Sequence, residues 1–404
     1  MKLDPKLHPW MRSAEVLAVL EALGGNARFV GGAVRNALLN REVDDVDIAT
    51  PLTPDEVMRK LKTLGINPVP TGIDHGTVTA IANGKPFEVT TLRRDVATDG
   101  RHATVAFTED WQADAARRDF TINALSADPT DLSLFDYFGG AEDLRAGHVR
   151  FIGDARARIA EDHLRIMRYF RFHARFGSGE ADPEALEACT ARANDLMALS
   201  RERIADELLK LLALPQPLEA VALMVDRGIL RPVIPEIERA GVERLGRLVA
   251  LEAQLGVPAD PYRRLAALLP PDPAATTAVA TRLRLSNKAV KRLASAADRA
   301  ERPTGDPRVL AYYIGVPEAA DRLLLDADGD DLATKLAALK GWERPRLPLS
   351  GGDLIAMGLK AGPLVSRALQ AVEREWAETG FSGDRSAVEQ LARRHVDQLL
   401  RSSQ

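Results

Sequence analysis

Residues 28–50, RFVGGAVRNALLNREVDDVDIAT, limit what this chain can become more than any other stretch. The apolar pair Phe29-Val30 breaks at Gly31-Gly32, and a helix-like segment, 33–39, follows with Arg35 in its first turn. This pattern predicts a strand, a tight turn and a helix N-terminus. Two glycines let the backbone approach a phosphate closely, and the first helical N–H groups are unpaired and sit at the positive end of the dipole. The turn is therefore a candidate polyphosphate cradle, with Arg35 as its charge. A second apolar run carries Asp45-Val46-Asp47-Ile48. Residues i and i+2 of a strand share a face, so Asp45 and Asp47 should project together while Val46 and Ile48 enter the core. Two adjacent carboxylates repel unless a cation sits between them. Hard oxygen ligands beside a phosphate turn, with no cysteine near, favour Mg2+ over Zn2+. Two such ions roughly 3.5–4 Å apart would activate an attacking hydroxyl and stabilise a departing pyrophosphate.

At 404 residues the chain exceeds one ordinary core and should divide into two to four domains. No run approaches the ~20 apolar residues of a membrane span, and residues 1–10 lack the blocks of a signal peptide. The single cysteine, Cys189, cannot form an internal disulfide and fits no metal spacing, so a reducing cytoplasm is the expected location. The net charge of −4 weighs against a nucleic-acid partner unless basic side chains are concentrated locally.

Along the chain, 13–23 reads as an amphipathic helix stopped by Gly24-Gly25, and Thr53-Pro54 with Glu56 opens another that Gly65 ends. Runs 78–81 and 87–92 form a hairpin across Asn83-Gly84. Glu88 lies in the second run, and would be a third carboxylate if that strand lay beside Asp47. Residues 93–103 show no periodicity and read as a mobile loop containing His102. In 115–126, Phe120, Ile122 and Leu125 alternate with Arg117, Arg118, Asp119, Thr121 and Asn123, so one side packs while the other is polar. Phe135 to Gly140 closes this part with a glycine hinge. From Asp154 onward strand signals vanish. Residues 155–176, ARARIAEDHLRIMRYFRFHARF, predict one helix of about six turns with Glu161, Asp162, Arg165, Arg168, Arg171 and Arg175 along its surface. Ser200 should cap a further helix, and others follow at 218–228, 238–255, 261–269 and 276–299. Arg282, Arg284, Lys288, Lys291 and Arg292 are the densest basic cluster of the second half.

The glycine pair with Val34-Arg35, Asp45-Val46-Asp47, RRDFTINAL (117–125), EDHLRIMRYFRF (161–172) and LSRERIADELLKLLAL (199–214) resemble, in order, five motifs of one family. It is the bacterial tRNA nucleotidyltransferase (CCA-adding)/poly(A) polymerase family, class II, of the DNA polymerase β-like superfamily. One departure is Asn36, where the family usually has Asp. The resemblance implies an α/β nucleotidyltransferase head at 1–145, then an all-α neck at 146–214, body at 215–300 and tail at 301–404, with tRNA contacts expected in the tail and at the 282–292 cluster. It implies that Asp45 and Asp47 hold Mg2+ and that Glu88 joins them, since FEVTTLR matches a strand following the aspartates in relatives. Gly31, Gly32, Arg35, Arg118, Asp119, Asp162, Arg165, Arg168 and Arg171 would bind the nucleotide, with Asp119 testing the ribose 2′-hydroxyl. Asp162 and Arg165 would select the base. Cytosine and adenine each present an amino donor beside a ring-nitrogen acceptor, which suits a carboxylate next to a guanidinium, whereas guanine and uracil present the opposite order. The implied activity is transfer of CMP and AMP from CTP and ATP to the 3′ end of tRNA. A poly(A) polymerase, an enzyme adding only CC or only A, and an inactive RNA-binding homologue stay open, as does the oligomeric state.

Overall fold

The computed structural model describes residues 1–98, 103–298, 305–326 and 331–402. The chain divides into two units, Met1–Pro235 and Glu236–Gln404.

The first unit opens with helix α1, Ala14–Leu23, whose first turn is capped by the Ser13 side chain and whose end is set by left-handed Gly24. Strand β1, Arg28–Val30, runs into helix α2, Gly32–Leu38, and the chain returns as β2, Asp47–Thr50. Helix α3, Pro54–Thr63, starts with a capping box between Thr53 and Glu56. Strands β3 (Asn67–Gly72), β4 (Thr77–Ala82) and β5 (Lys85–Thr91) follow, and Asn83 and Gly84, both at positive φ, form the two-residue turn between β4 and β5. With the short β8 (Ser126–Ala127) and β9 (Leu134–Phe135) these make a seven-stranded sheet in the order β3-β4-β5-β2-β1-β8-β9. Helices α1 and α3 pack together on one of its faces.

One pairing fixes the chemistry. β2 and β5 are parallel, and their register sets Asp47 opposite Glu88 and Ile48 opposite Val89. Ile48 and Val89 are fully buried, which locks the register, because a slip of either strand by one residue would turn its carboxylate inward and its apolar neighbour out.

Residues 93–103 are not an irregular loop. Arg93–Thr98 and Ala103–Phe107 pair as a separate hairpin, β6 and β7, while 99–102, with His102, lie outside the described residues. Helices α4 (Trp111–Ala116) and α5 (Gly140–Ala146) complete this part. At Gly140 a Cβ would collide with the Thr121 carbonyl, so this glycine is a close-packing point.

The single helix expected over 155–176 is two, α6 (Ala155–Glu161) and α7 (Arg165–Phe176). Asp162 breaks it: its backbone is extended, at φ −149 and ψ 107, and its side chain accepts from the Leu164 N–H at 3.1 Å. Aspartate competes for nearby backbone donors in this way, which periodicity does not register. Helices α8 (Pro183–Ala191), α9 (Arg201–Leu212, capped by Ser200) and α10 (Leu218–Asp226) follow, and α7 packs on α9 and α10. Phe120 meets Phe151 and Phe172 at centroid distances of 4.9 and 5.1 Å, and all three are buried. Burying each ring is worth roughly 2–3 kcal/mol, so this cluster pins segment 119–123 against α7.

The second unit is helical throughout its described residues. α11 (Arg239–Leu255), α12 (Pro261–Leu268), α13 (Pro273–Arg282) and α14 (Asn287–Ala297) come first. The helix expected over 276–299 is thus two, separated at Arg284, where φ is +54, and restarted by the Ser286 cap. Then come α15 (Pro307–Ile314), α16 (Val316–Leu325), α17 (Leu332–Leu339), α18 (Gly351–Ala356), α19 (Pro363–Glu378) and α20 (Arg385–Ser402). The side chain of Glu252 binds Arg263 and Arg264 at 2.8 Å each, and Arg292 binds Asp321 at 2.6 Å and Asp260 at 2.9 Å.

Candidate active site

A cavity of about 450 Å³ opens in the first unit, lined among others by Gly31, Gly32, Arg35, Asp47, Glu88, Arg118, Asp119, Asp162, Arg165 and Arg168. Six arginines (35, 93, 117, 118, 165, 168) and four carboxylates (47, 88, 119, 162) line it, a local balance of 6 − 4 = +2 in a chain of net −4. The basic concentration that a polyanion requires is therefore inside this cavity.

One wall is the glycine turn. Gly31 has φ +61 and ψ −121, a conformation essentially reserved for glycine, and a Cβ there would stand 2.8 Å from Arg118 Nη1. The N–H groups of Gly32, Ala33 and Val34 precede the first intrahelical donor of α2, Arg35 N, which bonds Gly31 O at 3.0 Å. Arg118 is braced by the Asn123 carbonyl at 3.1 Å and by buried Asp114 at 3.4 Å.

The opposite charge gathers at the start of β2. Burial raises the Asp47 carboxyl from its ordinary 3.8 to about 6, with Glu88 and Asp45 adding like-charge repulsion. Among the described residues no cation pairs with Asp45, Asp47 or Glu88. Asp45 lies just before the strand, is exposed, and does not line the cavity.

The floor is a continuous polar chain. Arg35 Nη1 donates to Asn123 Oδ1, Asn123 Nδ2 donates to Asp119 Oδ1 at 2.9 Å, and Arg168 Nε donates to Asp119 Oδ2 at 2.7 Å. Burial alone would raise the Asp119 carboxyl, but Arg168, Asn123 and the Phe120 N–H together hold it below the usual carboxylate range. Arg35 is lowered to about 9, first by burial and then by Arg175, and its side chain also takes Asn36 Oδ1 at 3.0 Å.

Asp162 and Arg165 line the same cavity from the break between α6 and α7, where Arg165 N closes a turn on Asp162 O at 3.0 Å. They do not pair with each other. Asp162 is held by Arg203 of α9, at 3.1 and 3.2 Å. Arg165 gives Nη1 to Glu161 at 2.6 Å and to Arg158 O at 2.9 Å, and Nη2 to Arg117 O at 2.8 Å. Of its five N–H donors, three are used and two are left.

Residues 27–150 match the family Poly A polymerase head domain, and 180–240 match Probable RNA and SrmB- binding site of polymerase A. The human mitochondrial CCA tRNA nucleotidyltransferase 1 is 36% identical over 89% of this chain and 85% of its own length. The chain belongs to the CCA tRNA nucleotidyltransferase family. The CCA-adding enzyme of Limosilactobacillus fermentum is 30% identical over 95% of this chain and 96% of its own. A crystal structure of the Bacillus stearothermophilus CCA-adding enzyme in complex with CTP superposes with a TM-score of 0.74 at 28% identity, covering 96% of this chain and 98% of that one.

The structure brings ten of the twelve sequence-expected residues to one cavity; Asp45 and Arg171 are the exceptions. Arg171 gives its guanidinium to Glu207 of α9, at 2.6 and 3.3 Å. Several contributors went unnoticed in the sequence: Asn123 as the bridge between Arg35 and Asp119, Asp114 behind Arg117 and Arg118, and Arg93 on the wall. The Asn123–Arg35 and Arg93–Asp114 contacts span 88 and 21 residues, beyond any spacing rule, whereas Asp114 stands three and four residues before Arg117 and Arg118, a helical spacing that the sequence did offer. In the 282–292 cluster, Arg282 pairs with Glu236 and Arg292 with Asp260 and Asp321, so at least two of its five cations are committed within the second unit.

No group of three or more His, Cys, Asp or Glu side chains among the described residues could hold a metal ion by itself. Mg2+ does not ask for one, since it is held by one or two carboxylates with substrate phosphates and water. The unpaired and partly desolvated Asp47 beside Glu88 fits that donor set. No helix among the described residues is long and apolar enough to cross a membrane.

Proposed function

We propose that this chain adds CMP and AMP from CTP and ATP to the 3′ end of tRNA, restoring CCA without a nucleic-acid template. The observation that carries the reading is the convergence of the glycine turn, the Asp47–Glu88 register pair and the Asp162–Arg165 turn on one cavity of local charge +2. The N–H groups of residues 32–34 and Arg118 receive the triphosphate. Asp119, aligned by Asn123 and Arg168, presents a carboxylate to the ribose. Asp162, oriented by Arg203, accepts from the exocyclic amino group of cytosine or adenine, and a remaining Arg165 donor reaches the ring nitrogen. Guanine and uracil would set a carbonyl oxygen against Asp162 and leave both groups unpaired, a cost of roughly 1–3 kcal/mol per group.

Asp45 and Asp47, with Glu88 beside them, would hold Mg2+, which when bound neutralises phosphate charge and activates the 3′-hydroxyl for attack on the α-phosphate. The division into head, neck, body and tail, with tRNA contacts toward the tail, goes with this reading. A cytoplasmic location does too, since burial pushes the thiol of Cys189, the one cysteine, far up and leaves it inert.

The test is to incubate the protein with tRNA lacking CCA and each labelled nucleotide, with Mg2+ or with chelator. Two CMP and then one AMP should be incorporated in the presence of Mg2+, with none from UTP or GTP. Asp47→Ala should abolish transfer. UTP incorporation matching CTP would refute the base assignment, and long tails from ATP alone would assign the chain to poly(A) synthesis instead.

A further inference from the structure

Five arginines surround two phenyl rings of α7, and their countercharges are unequally shared. Arg168 and Arg171 stand 5.3 and 4.7 Å from the Phe172 centroid, and each has an acid, Asp119 and Glu207. Arg35, Arg41 and Arg175 stand 4.3, 5.3 and 5.4 Å from the Phe176 centroid. Arg35 has the amides of Asn36 and Asn123. Arg41 and Arg175 have no ion pair with any acid among the described residues, although both are exposed and free to seek one. Arg41 Nη1 instead donates to the Arg175 backbone carbonyl at 3.4 Å, which holds two like charges close together. Burial, Arg41 and Arg171 disfavour the charge on Arg175, and only Asp44, which is outside ion-pair distance, opposes them. Cation–π contact from an exposed guanidinium returns only about 0.5–1 kcal/mol, so holding Arg41 and Arg175 together without an acid is unfavourable until an anion arrives.

We propose that Arg41 and Arg175 form a phosphodiester site for the backbone of the RNA strand whose 3′ end is extended in the adjoining cavity. The site rests on the tRNA nucleotidyl-transfer reading above. Neither arginine lines the nucleotide cavity, which has its own phosphate donors in the glycine turn and Arg118. Arg35 joins the two places: it lines the cavity and stands over the ring shared with Arg41 and Arg175. A reaction that joins a nucleotide to an RNA end brings a second polyanion, the strand itself, to the same place. Paired guanidinium forks suit successive phosphates better than ammonium groups do.

The test compares the full-length parent with Arg41→Gln/Arg175→Gln and Arg41→Lys/Arg175→Lys. Fluorescence anisotropy gives the Kd for tRNA lacking CCA across a KCl series, and initial rates give the KM for CTP. The Gln pair should weaken tRNA binding roughly tenfold at low salt and flatten the slope of log K against log salt by about 1.4, the value for two single-strand phosphates. CTP KM should stay that of the parent, and the Lys pair should recover most of the slope. Unchanged tRNA Kd and slope would overturn the site. So would a raised CTP KM with unchanged tRNA binding, which would give the pair to the triphosphate. If thermal melting shows the Gln pair unfolded, Arg41→Gln alone decides, with an expected slope change of about 0.7. Failure of the parent to incorporate CMP would sink the activity reading, while the binding series still judges the phosphate site.

Discussion

Glu207 gives the sharpest test of how the cavity is held. Its side chain is 5% exposed, that of Arg171 is 12% exposed, and the two meet through Nε at 2.6 Å and Nη2 at 3.3 Å, with Arg168 Nη1 at 3.9 Å behind them. Removing one member of such a buried pair strands the other, which costs about 3–5 kcal/mol. Glu207→Gln keeps one acceptor but turns an amide N–H2 toward the guanidinium, so the low end, about 3 kcal/mol, applies. For a unit of 235 residues, at roughly 2–4 °C per kcal/mol, the melting temperature should fall by about 6–12 °C. Replacing both partners, as in Glu207→Met/Arg171→Met, removes the stranded charge and should recover more than half of that loss. Thermal and urea melts of the parent, Glu207→Met, Arg171→Met and the double variant close the double-mutant cycle. Coupling below about 0.5 kcal/mol, with single effects that simply add, would refute the view that α9 holds α7 through this pair. Arg168 also leans on Glu207 and orients Asp119, so Glu207→Gln should raise the KM for CTP and ATP together. A merely structural role would lower the active fraction and leave KM alone.

Two further outcomes follow from the same geometry. Gly31→Ala should cost about 1–3 kcal/mol from its backbone conformation and raise nucleotide KM by displacing Arg118, as read by denaturant melts and CTP titration. Asp47→Asn should abolish transfer yet stabilise the metal-free protein. The Asp47 carboxyl is raised from 3.8 to about 6, so below pH 4 it is neutral folded or unfolded, from 4 to 6 folding retains a proton the unfolded chain has lost, and above 6 the whole penalty stands. The gain in chelator should therefore be absent at pH 4 and full at pH 8, with an upper limit of about 3 kcal/mol, and Mg2+ should narrow it by stabilising only the parent. A variant no more stable than the parent at pH 8 in chelator would contradict the assigned crowding of carboxylates.

Much of this was legible in the chain because it is local. Gly31-Gly32, the caps at Thr53 and Ser200, and the Asn83-Gly84 turn each specify backbone within four residues, and each stands where expected. The Asp47–Glu88 pairing was legible only as a condition, since the sequence names the two strands but not their adjacency; buried Ile48 and Val89 supply that. What stayed hidden was carried by single side chains overriding a pattern. The break at Asp162 occurs inside good helical periodicity because one carboxylate caps the Leu164 N–H. The hairpin of β6 and β7 lies outside the main sheet and shows no apolar alternation. Asn123 and Glu207 act on partners 88 and 36 residues distant, which no window of periodicity spans.

The distribution of acids carries one more step. With 58 acidic side chains to 54 lysines and arginines, this chain has no shortage of partners, so an arginine left without one has been placed that way. In the second unit, buried Arg263 and Arg264 and half-buried Arg292 all have carboxylates. Around α7 the acids go to the arginines that must stay still: Asp119 fixes Arg168, Glu207 fixes Arg171, Glu161 fixes Arg165. Arg35, Arg41 and Arg175 are denied them. Asn36 belongs to this pattern, because an aspartate there would meet Arg35 at the same 3.0 Å and cancel its charge, whereas the amide only orients it. Around α7, then, the arginines that position carry acids, whereas Arg35, Arg41 and Arg175 do not. Asn36→Asp should accordingly weaken nucleotide binding even as it relieves the buried charge of Arg35.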